Sequence, residues 1–143
     1  MLKNISPIIS PELLKVLCEM GHGDEIVIAD SNFPAHAVNN RVIRADGIGG
    51  VDMLKAVISL IPLDTYSEPN AMLMQLCEGD EDLPTPIWDE YKKVLVDSEG
   101  DKVKLGNIER FAFYERAKTA YAVIATGETE IYANLIIKKG VIK

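Results

Sequence analysis

Segments of helical periodicity alternate with short apolar runs along most of this chain, and that alternation admits few architectures other than helices layered on a sheet. The opening unit is the best marked. Ser10 stands as an N-cap, Pro11 at the first helical position, and Glu12 where a carboxylate complements the helix dipole. Leu13, Leu14, Leu17, Cys18 and Met20 follow at helical spacing, and Gly21 stands where a C′ glycine would stop the helix. Residues 25–30, mostly apolar and bounded by turn residues, predict a buried strand. Residues 32–40 read as a loop and 41–45 as a short strand. Asp52 is expected to cap a helix carrying Leu54, Val57, Ile58 and Ile61 and ended by Pro62. Further strands are expected at 71–77, 121–125 and 131–137, with helices at 86–96 and 111–119. Thr126-Gly127-Glu128-Thr129 reads as a hairpin-like turn making the last two strands antiparallel neighbours. The expected fold is α/β, a three-layer sandwich with a mixed β-sheet flanked by helices, in a single domain over residues 1–143.

Charge narrows the partners. Fifteen Lys and Arg stand against 22 Asp and Glu, a net charge of −7, which repels phosphate backbones and anionic lipid. Neither nucleic acid nor membrane is an expected partner. The best apolar stretch, residues 56–63, is far shorter than the roughly 20 residues of a membrane helix. The first residues carry no apolar signal core, so a cytoplasmic location is expected. The two cysteines form no CxxC pair, and no disulfide is expected. Cys18 and His22, four apart, could in principle share a metal. With two His and two Cys in the whole chain, no metal site is expected. A dinucleotide fingerprint, a phosphate loop and a GxSxG elbow are all missing, and no cofactor is expected.

Several residues stand out chemically. His22 lies between Gly21 and Gly23, where a helix gives way to a strand and the backbone can approach a ligand closely. An imidazole titrates near pH 6.5 and both gives and takes protons at neutrality. A surface turn histidine is the plainer reading. His36, in the 32–40 loop, is a weaker candidate. Asp30 ends the first strand, where open α/β sheets collect ligands, although a turn aspartate would look the same. Arg110 and Tyr114, four apart, share a helix face. Tyr132 and Asn134, two apart in an expected strand, would share one face opposite Ile131, Ala133, Leu135 and Ile137. An asparagine beside a tyrosine there would need polar partners, which a sugar could supply. From residues alone the chain reads as an α/β domain with a polar pocket.

Taken together, these segments resemble the L-fucose mutarotase family, relatives of the D-ribose pyranases. The resemblance runs nearly full length, through Ile8-Ile9-Ser10-Pro11-Glu12-Leu13-Leu14, Glu19-Met20-Gly21-His22-Gly23-Asp24-Glu25-Ile26 and Asn32-Phe33-Pro34-Ala35-His36. It continues through Ile43-Arg44-Ala45-Asp46-Gly47 and Pro62-Leu63-Asp64-Thr65-Tyr66, and closes with Arg110-Phe111-Ala112-Phe113-Tyr114-Glu115-Arg116-Ala117 and Tyr132-Ala133-Asn134. It implies an isomerase without cofactor that interconverts the α and β anomers of free L-fucose. It implies His22 as proton donor, Tyr114 at a catalytic position, and Asp30, Asp64, Arg110, Tyr132 and Asn134 as substrate-binding residues. A methionine of the 71–74 run, Met74 before Met72, would also touch substrate. His22 would handle one proton and Tyr114, assisted by Arg110, the other or a water relay. The resemblance further implies a homo-oligomer, a decameric ring with sites completed by a neighbouring subunit. Ala133 departs from a frequent Tyr-Gly-Asn pattern and would be strained if the backbone there had positive φ. The competing readings are D-ribose pyranase chemistry, a sugar-binding protein without turnover, and a scaffold oligomer.

Overall fold

The computed structural model describes Met1–Lys143. Its centre is a six-stranded sheet in the order β2-β5-β1-β6-β3-β4. The strands are β1 (Glu25–Ala29), β2 (Val42–Ala45), β3 (Ala71–Met74), β4 (Leu105–Ile108), β5 (Ala122–Thr126) and β6 (Leu135–Lys138). The helices are α1 (Pro11–Glu19), α2 (Ala35–Val38), α3 (Gly50–Ile58), α4 (Pro86–Glu99) and α5 (Arg110–Thr119). Strand β1 runs parallel to β5 and antiparallel to β6. Strand β2 is parallel to β5, and β3 is parallel to β4 but antiparallel to β6. Five strands therefore share one direction and β6 alone opposes them.

The two-residue period of the strands divides the core. Ile26 and Ile28 face one layer with Leu13, Leu17, Leu54, Val57 and Tyr91, which come from α1, α3 and α4. Val27 and Ala29 face the other with Ala35, Phe113 and Ala117, from α2 and α5. These layers flank a mixed sheet, the expected α/β sandwich. Central strands are apolar throughout because both faces are covered.

Several local expectations need correction. The final strands do not form a hairpin, because β1 lies between β5 and β6. Residues 127–134 instead carry the chain across the end of β1, so β6 begins at Leu135 rather than 131. Gly21 is not left-handed. Helix α1 ends as Met20 turns extended, at φ −62° and ψ 132°, and the positive φ falls at Gly23. Ser10 does cap α1, its side chain accepting from the Leu13 amide at 3.1 Å. Asp52 lies within the first turn of α3, whose N-cap is Gly49, and the helix stops at Ile58, short of Pro62. Glu128 takes the capping role, its carboxylate accepting from the Gly50 amide at 2.9 Å. Residues 35–38, expected as loop, form a single helical turn, and β3 stops at Met74 rather than residue 77. Strand β4 and the 3₁₀ turn at Gly100–Lys102 have no counterpart in the expectations, since neither carries a long apolar period.

Candidate active site

Strand polarity sorts the candidate residues into two groups. Asp30 follows β1, Met74 ends β3, and Arg110 opens α5 two residues after β4. Asn134 precedes β6, whose reversed direction brings its start to the same edge. The carboxyl ends of the parallel strands thus converge on a cleft of about 240 Å³, lined by Asp30, Phe33, Met74, Arg110, Tyr114, Tyr132 and Asn134. This is where open α/β sheets present ligand sites.

At the base of the cleft Asp30 and Asn134 lock together. The Asp30 amide donates to Asn134 Oδ1 at 2.8 Å, and Asn134 Nδ2 donates back to Asp30 Oδ2 at 3.0 Å. The Asn32 amide donates to Asp30 Oδ1 at 3.0 Å and the Ala133 amide to Oδ2 at 3.3 Å. Asp30 is 4% exposed. Burial pushes its carboxyl above the ordinary carboxylate range against the pull of these hydrogen bonds. Above them, Arg110 Nε donates to Tyr114 Oη at 3.2 Å, the i,i+4 meeting expected from the sequence. The Tyr114 ring packs against Phe33 at a centroid distance of 5.6 Å.

Tyr132 is the strained member. It has φ +56°, a left-handed conformation that costs an ordinary residue about 1–2 kcal/mol. The extended alternation expected for 131–134 is broken there, and Tyr132 and Asn134 reach the cleft by a turn rather than along a strand. Positive φ falls at Tyr132 and not at Ala133, so alanine at 133 carries no backbone strain. Residues the sequence reading missed hold this turn. Trp88 Nε1 donates to the Tyr132 carbonyl at 2.8 Å, and Tyr91 Oη donates to the Ala133 carbonyl at 2.9 Å. The Tyr132 hydroxyl donates to Asp80 and accepts from the Cys77 amide at 3.3 Å. Its hydrogen bond to Asp80 raises the Tyr132 phenol above its ordinary value. No sequence signal singles out Asp80, because only the fold carries its loop to Tyr132.

His22 and Asp64 are elsewhere. His22 precedes β1, Asp64 lies in the loop before β3, and both sit at the opposite edge of the sheet. The five residues of β1 separate this edge from Asp30 by roughly 17 Å. His22 Nε2 meets Asp64 Oδ1 at 2.9 Å. Asp64 was expected to hold substrate hydroxyls, but its carboxylate lies under His22, not in the cleft. It also accepts from the Tyr66 amide at 3.2 Å and the Ser67 hydroxyl at 2.7 Å. Burial pushes the Asp64 carboxyl up, but hydrogen bonds from Ser67, His22 and the Tyr66 amide outweigh it and hold the pKa at about 2. Met72 is buried beneath the cleft at 0% exposure, so Met74 is the methionine that lines it. His36 stands exposed on α2, outside the cleft lining.

The profile of the RbsD / FucU transport protein family matches residues 3–142. The chain belongs to the RbsD / FucU family. Among its relatives, it is 51% identical to an L-fucose mutarotase of Histophilus somni, over 99% of this chain and 97% of that one. It is 52% identical to the human fucose mutarotase, over 99% of this chain and 94% of that one. Its fold matches the crystal structure of a fucose mutarotase from Streptococcus pneumoniae in complex with L-fucose, with a TM-score of 0.93 and 46% identity, covering 99% of this chain and 100% of that one. The Bacillus subtilis RbsD complexed with D-ribose, 24% identical at a TM-score of 0.72 and covering 100% of each chain, shares the family fold.

Proposed function

We propose that this protein is an L-fucose mutarotase, an isomerase that equilibrates the α and β anomers of free L-fucose without a cofactor. The observation that carries this reading is the Asp30–Asn134 pair facing Arg110 and Tyr114 across one monosaccharide-sized cleft. The chain as a whole is 46% identical to a fucose mutarotase captured with L-fucose.

Mutarotation opens and recloses a hemiacetal. The ring oxygen gains a proton, the C1–ring oxygen bond breaks with its electron pair going to that oxygen, and the anomeric hydroxyl loses a proton as the aldehyde forms. Rotation about the C1–C2 bond and the reverse transfers give the other anomer. One group must give a proton while another takes one, and each positioned acid–base group contributes about 10²–10⁴-fold. In this reading Asp30 and Asn134 hold sugar hydroxyls, while Met74 and the face of Tyr132 lie against the C–H side of the ring. His22 handles one proton, and Tyr114 with Arg110 handles the other, directly or through a water relay.

His22 lies at the far edge of its own sheet, so in this reading it serves the cleft of another subunit. The same proposal includes a homo-oligomer, the decameric ring that the resemblance implies, in which the His22 edge of one copy covers the cleft of the next. Exposed apolar side chains at both edges support this assembly. Tyr66, Val141 and Ile142 lie around His22, Ile131 lines the cleft, and Phe111 packs against Tyr114 of its lining. Unlike patches meeting head to tail build rings. Cytoplasmic placement belongs to the same reading.

Saturation-transfer NMR tests the function directly, with L-fucose, L-rhamnose, D-ribose and D-galactose in parallel. Anomer exchange fastest with L-fucose is expected. Exchange of L-fucose at the uncatalysed rate would refute it, and faster exchange of D-ribose between pyranose and furanose would favour the pyranase.

A further inference from the structure

The edge of the sheet that carries His22 holds a chain of polar contacts beyond anything the cleft requires. Asp64 is 3% exposed in its side chain, while the His22 side chain is 48% exposed. A carboxylate this buried is stabilised only by the donors that reach it. His22 Nε2 and the Tyr66 amide take Oδ1, and the Ser67 hydroxyl takes Oδ2. Ser67 accepts in turn from Lys138 Nζ at 3.0 Å, so its only proton is committed to Asp64. The loop itself is pinned from two sides. Asn70, fully buried, donates to the Asp64 carbonyl at 2.8 Å, and the Asp64 amide donates to the Lys138 carbonyl at 2.9 Å.

The imidazole has an aromatic neighbour as well. The Tyr66 ring lies 5.1 Å from it, tilted at 58°. One nitrogen of His22 is thus inside a fixed network, and Nδ1 has no partner within the chain.

We propose that Asp64, backed by Ser67 and Lys138, is a positioning residue for His22: it fixes the Nε2–H tautomer and leaves Nδ1 as the nitrogen that exchanges protons with the sugar. The argument is one of donors and acceptors. An ionised carboxylate can only accept, so the nitrogen that meets it must carry hydrogen. In the neutral ring the lone pair then sits on Nδ1. When the ring is charged, Nδ1–H gives its proton to one hemiacetal oxygen, the C1–ring oxygen bond breaks, and the anomeric hydroxyl passes its proton to the second group. Nε2–H stays on Asp64 throughout, and the reverse transfers restore the imidazolium. Asp64 holds the charged ring without taking its proton, as a buried carboxylate does for a histidine in hydrolytic triads.

This rests on the mutarotase reading for its consequence, but the tautomer itself is measurable without turnover. Long-range ¹H–¹⁵N correlation of the His22 ring in the intact assembly, above its titration, is expected to show Nε2 protonated and Nδ1 bare. A ring protonated at Nδ1 would overturn the proposal whatever the activity. In Asp64→Asn, whose amide can donate or accept, the tautomer preference is expected to disappear, and the L-fucose exchange rate to fall by about 10²-fold or more with little change in half-saturation. A variant that keeps both the wild-type rate and the wild-type tautomer would refute the role of Asp64. Ser67→Ala, a smaller change, is expected to lower the same rate less and to shift the acidic limb of its pH profile upward, and an unmoved profile would remove Ser67 from the device. If the wild-type protein exchanges no L-fucose while its ring shows the expected tautomer, the functional reading fails and the positioning network stands.

Discussion

At the scale of the residue, buried carboxylates carry the most readable chemistry. Asp64 drops from the ordinary 3.8 to about 2. A carboxyl with a depressed folded-state pKa contributes stability above its unfolded value, and that contribution is lost as pH falls through the folded value. It amounts to about 2 kcal/mol at neutral pH. Asp64→Asn is therefore expected to destabilise the fold by about that amount at pH 7, with the difference from the parent shrinking between about pH 4 and pH 2. Chemical denaturation across that range measures it. Asp30 behaves oppositely, since burial raises its pKa and neutralisation relieves it. Asp30→Ala would strand the Asn32, Ala133 and Asn134 donors, at a cost of about 1–3 kcal/mol for each group left without water. A lowered midpoint in thermal unfolding, together with lost sugar affinity, is the expected result. His22→Ala, by contrast, removes an exposed ring. It also takes one donor from the buried Asp64 carboxylate, so it should cost about 1 kcal/mol of stability while reducing L-fucose exchange by about 10²–10⁴-fold, read by saturation-transfer NMR. Sequence pointed to Asp30 and His22 through their positions beside glycines and strand ends. It could not separate Asp64's role, because a carboxylate under an imidazole and one in a cleft look alike in a list of residues.

At the scale of the element, local signals were legible where they are chemical and lost where they depend on neighbours. The Ser10-Pro11-Glu12 start marks α1 because the cap is made within four residues. Ser10→Ala should cost about 1 kcal/mol in thermal or denaturant unfolding. The turn at 126–129 misled for the opposite reason. A short polar turn between apolar runs predicts a hairpin, but β1 had already taken the place beside β5. The connection then had to cross β1, and it does so with Gly127 against the Asp46 carbonyl and Tyr132 at positive φ. Gly140 is a second close approach. A Cβ there would lie 2.3 Å from the Leu63 carbonyl, beside Asp64. Gly140→Ala is expected to displace that loop, costing about 1–3 kcal/mol and slowing exchange while leaving sugar affinity in the Asp30 cleft intact. Isothermal titration beside exchange NMR separates the two effects.

At the scale of the molecule, the division of the candidate residues between two edges makes assembly a functional requirement of the proposed reaction. Light scattering is expected to give a mass several times the 15.8 kDa of the chain. Ile142 is 81% exposed beside the His22 edge. Ile142→Glu should lower the assembled mass and the exchange rate together, with far-UV circular dichroism unchanged. Retained activity in a folded monomer would contradict an active site shared between subunits. Periodicity and caps by themselves determined the layered α/β class, the first helix, the central strands and the Arg110–Tyr114 face, because each depends on residues a few positions apart. Strand order, the crossing at 127–134 and the sorting of His22–Asp64 from the cleft were decided only in three dimensions. Direction within a sheet is a relation between distant segments, and it alone sets whether the start or the end of a strand meets a given edge.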